Sequence, residues 1–154
     1  MTAPSPQRPS GDPLRPSGTT VLSGVLGTGI DAVDVDRLRR VLERRPGLAT
    51  RLFTEGERHD AARSLDPVPH LAARFAAKEA TMKALGVGIG AFGFHDVAVV
   101  RHETGRPELA VTGGAAALAA DAGVATWLCT LTHTDHLALA SVTALGGDGA
   151  QLTT

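Results

Sequence analysis

Residues 74–86 decide the fold, and they read Arg-Phe-Ala-Ala-Lys-Glu-Ala-Thr-Met-Lys-Ala-Leu-Gly. The stretch predicts a helix that a glycine ends. At about 100° per residue, Leu71, Phe75 and Met82 fall on one apolar stripe, and Glu79 falls close to it. A carboxylate on a core-facing stripe is costly unless a cation, a metal ion or a hydrogen-bond donor meets it. The stretch therefore predicts a buried acid that has a partner.

Three cations share this helix with Glu79. Arg74 and Lys78 are four residues apart, where like charges destabilise a helix unless an anion lies between them. Lys83 follows Glu79 by four residues, where an ordinary Glu–Lys ion pair can form. Two interpretations are open. The helix either directs an acid and three cations towards a metal ion and a phosphate group, or carries one local ion pair beside two solvated cations.

Composition indicates one soluble domain. The chain has 154 residues, of which 43% are hydrophobic and 20% charged, and a formal net charge of −1. This charge does not indicate nucleic-acid binding. Aromatic residues make up 3% of the chain and include no tyrosine, which argues against a surface that stacks on bases. The single Cys129 excludes an internal disulfide and indicates a reducing, cytoplasmic compartment. Cys129 ends the apolar run Trp-Leu-Cys at 127–129, so we expect a packed thiol. Neither a membrane-spanning apolar run nor a signal-peptide pattern is found in the sequence.

The distribution of proline, glycine and apolar residues predicts an α+β domain at 21–145. Residues 1–20 are rich in proline, serine and glycine and predict a disordered tail, and 146–154 predict a shorter one. We predict strands at 25–31, 94–101, 107–111, 125–132 and 137–144, of which the last two form an antiparallel hairpin. We predict helices from a cap at Asp34 or Asp36 to about 45, from the capping box at 54–57 to about 64, at 70–85, and from 113 to about 122. Residues 48–53 form one short turn in this prediction, and 86–90 form a flexible glycine loop.

Two polar residues end apolar segments. Asp31 follows Gly27 and Gly29 at the end of a predicted strand, where it could ligate a hard cation or act as a turn or capping acid. His133 is the polar end of an apolar strand face and is either functional or a satisfied structural histidine. The other histidines lack metal-ligand spacing, which argues against zinc.

The first predicted helix has one basic face and one apolar face. The basic face carries Arg37, Arg40 and Arg44, and the opposite face carries Val35, Leu38 and Leu42. A solvated surface is one interpretation of the basic face. The other is a patch that binds an acidic protein.

Six motifs occur in order along the chain: Gly-Ile-Asp-Ala-Val-Asp-Val-Asp-Arg at 29–37, Phe-Thr-Glu-Gly-Glu at 53–57, Arg-Phe-Ala-Ala-Lys-Glu-Ala at 74–80, Lys-Ala-Leu-Gly-Val-Gly-Ile-Gly at 83–90, Gly-Arg-Pro at 105–107, and Leu-Thr-His-Thr at 131–134. Together they resemble the holo-[acyl-carrier-protein] synthase family, the small bacterial 4′-phosphopantetheinyl transferases, over 25–144. The resemblance implies the fold of that family, an antiparallel sheet packed with helices, assembled as a homotrimer that binds coenzyme A at subunit interfaces. It implies transfer of phosphopantetheine from coenzyme A to a serine of an apo acyl carrier protein, with release of adenosine 3′,5′-bisphosphate.

The resemblance also assigns roles to individual residues. Asp31 and Glu79 hold Mg²⁺ with the coenzyme A diphosphate, which fits the preference of Mg²⁺ for oxygen ligands. The remaining assignments are coenzyme A binding by Arg74, Lys83, Gly86, Gly88, His133 and Thr134, and carrier binding by Arg37, extended by Arg40 and Arg44. Asp34 stands where the family usually has glutamate as a third acid, and Val87 replaces the threonine of the glycine loop.

The mechanism is a hypothesis at this point. The carrier serine attacks the β-phosphorus in line, Glu79 or a bound water takes its proton, and Lys83 stabilises the departing phosphate, with Asp31 completing the catalytic set. Two other functions remain open. A Mg²⁺-dependent diphosphate hydrolase would use the same acids and cations without a carrier. A non-catalytic carrier-binding module would use the Arg37 face and neither acid.

Overall fold

The computed structural model describes residues 24–147, so the predicted N-terminal tail, and the C-terminal tail from residue 148, lie outside the described residues. The elements in chain order are β1 (Val25–Asp34), α1 (Val35–Arg44), α2 (Gly47–Leu52), α3 (Glu55–Ala61), α4 (Val68–Ala84), β2 (Val97–Arg101), β3 (Pro107–Val111), α5 (Gly113–Asp121), β4 (Val124–His133) and β5 (Leu137–Gly146). This is the α+β class that the sequence predicts. No helix within 24–147 has the length and apolar composition that a membrane span requires.

The main sheet has three antiparallel strands with β5 in the centre, between β1 and β4. The predicted C-terminal hairpin is therefore present, and the N-terminal strand joins it. Asp31 of β1 pairs with Ala140 of β5, and His133 of β4 pairs with Ala138. Paired residues point to the same side of a sheet, so Asp31 and His133 share the face on which Ala138 and Ala140 are buried. Strands β2 and β3 form a separate hairpin.

Helix α4 packs on this face at very short range because both surfaces carry small residues. A Cβ atom at Gly29 would lie 1.9 Å from the carbonyl oxygen of Ala80, and one at Gly27 would lie 1.9 Å from that of Ala84. Ala80 itself is fully buried. Since side chains alternate along a strand, Asp31 is the next residue of β1 on the same face. The glycine spacing therefore brings the Asp31 carboxylate against the C-terminal half of α4.

Several element boundaries differ from the prediction. Helix α4 begins at Val68 rather than 70, because Pro69 occupies its first turn, where a missing N–H costs no helical hydrogen bond. The predicted turn at 48–53 is the helix α2, the helix from the capping box ends at Ala61, and the predicted strand start at Phe94 is a short 3₁₀ turn, Phe94–Asp96. Strand β1 continues to Asp34, and β5 reaches Gly146, where Val124 pairs with it.

Candidate active site

Asp31 and Lys83 form the centre of the first candidate site, where β1 meets α4. The Lys83 Nζ atom donates to Asp31 Oδ1 at 2.7 Å and to the carbonyl oxygen of Ile30 at 2.9 Å. Asp31 Oδ2 is buried and has no hydrogen-bond partner. The prediction that Asp31 ends its strand is wrong, because Asp31 lies within β1. Of the two interpretations left open for Lys83, the local ion pair with Glu79 is not the one found, because Lys83 pairs with Asp31.

Glu79 lies beside this pair and is half-buried. Burial, together with the neighbouring Asp31 carboxyl group, raises the pKa of Glu79 to about 7, while Lys83 opposes the shift. Two neighbouring carboxyl groups thus lie beside a single ammonium group, so the cluster carries excess negative charge when both carboxyl groups are ionised. Within 24–147 no cluster of three or more histidine, cysteine or acidic residues could hold a metal. Two carboxylates nevertheless suffice for Mg²⁺ when phosphates and waters complete its shell.

A cavity of about 430 Å³ joins Glu79 to the start of α1. Arg37, Asp34 and Phe75 also line it. Asp34 caps α1, since its Oδ1 atom accepts a hydrogen bond of 2.7 Å from the backbone N–H of Arg37. The predicted partner-binding residues Arg40 and Arg44 are exposed on the same helix as Arg37. The predicted carrier surface and the predicted catalytic carboxylate therefore border one cavity.

Arg74 and His133 belong to a second cavity, of about 210 Å³. Arg74 is buried and donates through Nη2 to Asp60 Oδ2 at 2.8 Å and through Nη1 to the carbonyl oxygen of His70 at 3.1 Å. Its Nε atom is buried without a partner. The His70 and His133 rings meet edge to face, with centroids 4.6 Å apart. The cavity is thus lined by a buried guanidinium group and by two neighbouring histidine rings.

Lys78 does not belong to either site. It is fully buried, and its Nζ atom donates to Glu57 Oε2 at 2.9 Å, to the carbonyl oxygen of Phe94 at 2.8 Å and to that of Val97. The anion that the like-charge flank requires is therefore Glu57, so both the solvated interpretation of Lys78 and its assignment beside a phosphate are wrong. Arg74 is not solvated either, because Asp60 binds it.

Three predicted coenzyme A residues lie elsewhere. Gly86 and Gly88 are exposed in the loop after α4, and Gly86 ends the helix with φ of 69°. Thr134 builds the turn between β4 and β5, since its Oγ1 atom accepts from the N–H groups of His136 at 3.3 Å and Leu137 at 3.1 Å. None of the three lines either cavity. Their role in coenzyme A binding stays a prediction.

Sequence reasoning missed His70 and Arg101, which line the second cavity, and Asp60, which holds Arg74. No local pattern marks them, because they lie on α4, β2 and α3 and meet only through tertiary packing. The prediction of a packed Cys129 is correct: the thiol is buried, and burial raises its pKa to about 11.

Comparison with known proteins shows that the chain is similar to one family. Residues 27–140 match the model described as the 4′-phosphopantetheinyl transferase superfamily. The holo-[acyl-carrier-protein] synthase of Frankia casuarinae is 48% identical over 120 residues, covering 78% of this chain and 97% of that protein. The corresponding enzyme of Streptomyces avermitilis is 47% identical over 122 residues, covering 79% and 98%.

Two solved structures extend the similarity to the fold. The holo-[acyl-carrier-protein] synthase of Neisseria meningitidis superposes with a TM-score of 0.72 at 30% identity, over 79% of this chain and 98% of that one. The enzyme of Bacillus anthracis, described as a complex with CoA (3′,5′-ADP), superposes with a TM-score of 0.66 at 28% identity, over 80% and 98%.

Proposed function

Since the chain belongs to the 4′-phosphopantetheinyl transferase superfamily, we propose that it acts as a holo-[acyl-carrier-protein] synthase. It transfers 4′-phosphopantetheine from coenzyme A to a serine of an apo acyl carrier protein and releases adenosine 3′,5′-bisphosphate. The observation that carries this proposal is the cluster of Asp31, Glu79 and Lys83 at the junction of β1 and α4. The coenzyme A complex of the Bacillus anthracis relative supports the donor.

We assign Mg²⁺ to Asp31 and Glu79. The proximity of the two carboxyl groups supports the assignment: burial and the neighbouring Asp31 raise the pKa of Glu79, and a cation held by both groups would offset this cost of ionisation. Mg²⁺ held by these two carboxylates would supply Lewis-acid chemistry and would offset the charge that develops on the leaving group.

Lys83 has a further part in this mechanism. An ammonium group has three donors, and Asp31 and the Ile30 carbonyl take two of them, so one remains for a phosphate oxygen. The half-exposed side chain can present this donor to the departing bisphosphate. Asp31 fixes the direction of the ammonium group. Catalysis then depends on positioning and on charge stabilisation, as expected for phosphoryl transfer.

We further propose that a second copy of the chain completes each active site, in a homotrimer. The two cavities have no lining residue in common, although coenzyme A carries both a diphosphate and a 3′-phosphate. The outer face of the main sheet supports self-association, since its apolar Ile30 and Leu128 are 62% and 51% exposed. In a trimer, one coenzyme A molecule would contact the Arg74–His133 cavity of one copy and the Asp31–Glu79 site of another.

The carrier protein is expected at the cavity that Arg37 and Glu79 share. Arg40 and Arg44 are exposed on the same helix and extend the positive surface outwards. Carriers of fatty-acid, polyketide and peptide synthesis are all candidates, because positive charge selects for an acidic surface rather than for one pathway.

The decisive experiment is intact mass spectrometry of an apo acyl carrier protein incubated with this protein, coenzyme A and Mg²⁺. The carrier should gain one phosphopantetheine, and EDTA should abolish the gain. Asp31→Asn and Glu79→Gln should each slow transfer by about 100-fold or more, since a metal ion supplies several kcal/mol of transition-state stabilisation. Asp121→Asn, at the exposed end of α5, is the matched control and should transfer normally.

The alternatives predict other outcomes. Consumption of coenzyme A with no gain in carrier mass would identify the diphosphate hydrolase. A stable carrier complex with coenzyme A intact would identify the binding module. Full activity of Glu79→Gln in saturating Mg²⁺ would remove Glu79 from the mechanism.

A further inference from the structure

The start of helix α1 is joined to the turn between β4 and β5 by two contacts. The backbone N–H of Val35 donates to the carbonyl oxygen of His136 at 2.9 Å. The His136 ring meets the side chain of Asp36, with 2.9 Å between Nδ1 and Oδ2. The N–H of His136 also donates to Thr134 Oγ1 at 3.3 Å, within the turn itself. The imidazole therefore lies at the N-terminal end of the helix that carries the predicted carrier surface.

Asp36 is a negative charge on this otherwise basic helix. It lies one helical turn before Arg40, close enough to oppose the charge of that exposed arginine. The nearby Arg39 is already engaged, because it makes two hydrogen bonds, of 3.1 and 2.6 Å, with Asp66. In the described part of the chain, His136 is the only side chain that forms an ion pair with Asp36. The charge that Asp36 presents to a partner therefore depends on His136.

The charge of His136 changes within the physiological pH range. The hydrogen bond and the charge of Asp36 raise the pKa of His136 above its ordinary value of 6.5. Desolvation opposes the shift, and the charges of Asp135 and Asp34 add to it. Because a raised pKa favours the charged form, His136 is protonated below about pH 6.5 and loses its proton as the pH rises through the raised value. Loss of the proton leaves the charge of Asp36 unopposed.

A partner with an acidic surface would experience this change directly. The side chains of His136 and Asp36 are 80% and 48% exposed, so the protein shields neither charge from a partner. Carboxylates of an acyl carrier protein stay ionised above about pH 6, so the pH dependence of the attraction arises from this protein. Exposed charges interact weakly in water, and one such charge changes affinity by about two- to fivefold.

We propose that His136 is a further carrier-binding residue, which in its protonated form cancels the charge of Asp36 and strengthens the attraction of α1 for an acidic acyl carrier protein. The inference rests on the proposed function for the identity of the partner. It adds the turn between β4 and β5 to the surface of Arg37, Arg40 and Arg44. It also gives carrier affinity a pH dependence that arises outside the site of phosphoryl transfer.

The test measures carrier binding without turnover. The probe is an apo acyl carrier protein of fatty-acid synthesis whose acceptor serine is replaced by alanine. It is labelled for fluorescence anisotropy and titrated with the full-length protein in saturating coenzyme A and Mg²⁺. The Kd of the wild type should rise about two- to fivefold from about pH 6 to about pH 8.5. This rise should disappear in about 0.5 M salt, where the Debye length is only about 4 Å.

Substitutions separate the charge of His136 from any structural part that it has. His136→Gln should bind the carrier as weakly at low pH as the wild type does at high pH. His136→Lys should bind it tightly over the whole range, because its positive charge does not titrate there. Asp36→Asn should bind more tightly than the wild type at high pH, since the charge that His136 cancels is absent. His59→Gln, exposed on α3, is the matched control and should behave as the wild type.

Three results would overturn the inference: the same pH dependence in wild type and His136→Gln, a pH dependence that persists in high salt, or no carrier binding at any pH. These failures are distinct from that of the proposed function. Carrier modification without a contribution of His136 to the pH dependence of binding refutes the inference alone. A pH-dependent affinity that requires His136, without modification of a carrier that retains its serine, refutes the transferase alone.

Discussion

Lys78 is a buried charged residue that holds three elements together. Its ammonium group, on α4, binds Glu57 of α3 and the carbonyl groups of Phe94, in the 3₁₀ turn before β2, and of Val97, the first residue of β2. Glu57 in turn accepts the backbone N–H of Val99 at 3.0 Å and that of Thr54 at 3.0 Å. Burial lowers the pKa of Lys78, and Glu57 opposes the shift. The pair therefore has a structural role, one position away from Glu79.

We predict that Lys78→Met destabilises the protein by about 3–5 kcal/mol, because it leaves the Glu57 charge buried without a partner. Combining it with Glu57→Gln should recover part of this loss, since no uncompensated charge then remains. Thermal unfolding of the two single variants and the double variant measures the coupling. Additive changes in stability would show that the two side chains do not interact.

The close contact between α4 and β1 depends on glycine at position 29. We predict that Gly29→Ala destabilises the protein by about 1–3 kcal/mol or more, because the new methyl group would overlap the Ala80 carbonyl. Transfer activity should fall with it, since Asp31 and Lys83 face each other across the same contact.

Gly56→Ala is the matched control for that substitution. A methyl group at Gly56 meets no atom within 4 Å, and the residue lies in helix α3. The change should leave stability the same or raise it by about 0.5–1 kcal/mol. Equal denaturation midpoints for both variants would contradict the role that we give to the glycine spacing.

Helix α1 is the element on which the carrier prediction depends. Reversing the charge with Arg37→Glu should raise the apparent KM for the acyl carrier protein and weaken its salt dependence, since attraction between charged surfaces is screened by salt. The KM for coenzyme A should change little and serves as the internal control. Steady-state kinetics at two ionic strengths makes the measurement. An unchanged carrier KM would remove α1 from the carrier interface.

The outer face of the main sheet is the surface on which the proposed assembly of the whole molecule depends. If this face joins the copies of the trimer, Ile30→Asp and Leu128→Asp should each dissociate it and abolish transfer, because the charge would be buried in an apolar interface. Val100→Asp changes an apolar residue on the hairpin that is 43% exposed, and it should preserve the assembly. Sedimentation equilibrium gives the masses. Wild-type mass for Ile30→Asp would place the interface elsewhere.

Sequence alone determined the local features of this protein. The helix at residues 74–86, the capping box at 54–57 and the cap at Asp34 are as predicted, because each depends on residues within about one turn of one another. The order of six motifs also identified the family, which the comparisons confirm. Helix periodicity further showed that Glu79 lies near the apolar face and therefore needs a partner.

Only the tertiary structure decided which partners meet. Lys83 binds Asp31, which is 52 residues away, and Lys78 binds Glu57, which is 21 residues away. Periodicity gives the direction of a side chain on its own helix, but the group it meets depends on how that helix crosses the sheet. The crossing follows from the glycines of β1 and the alanines of α4, whose close packing fixes the position of every charge between them.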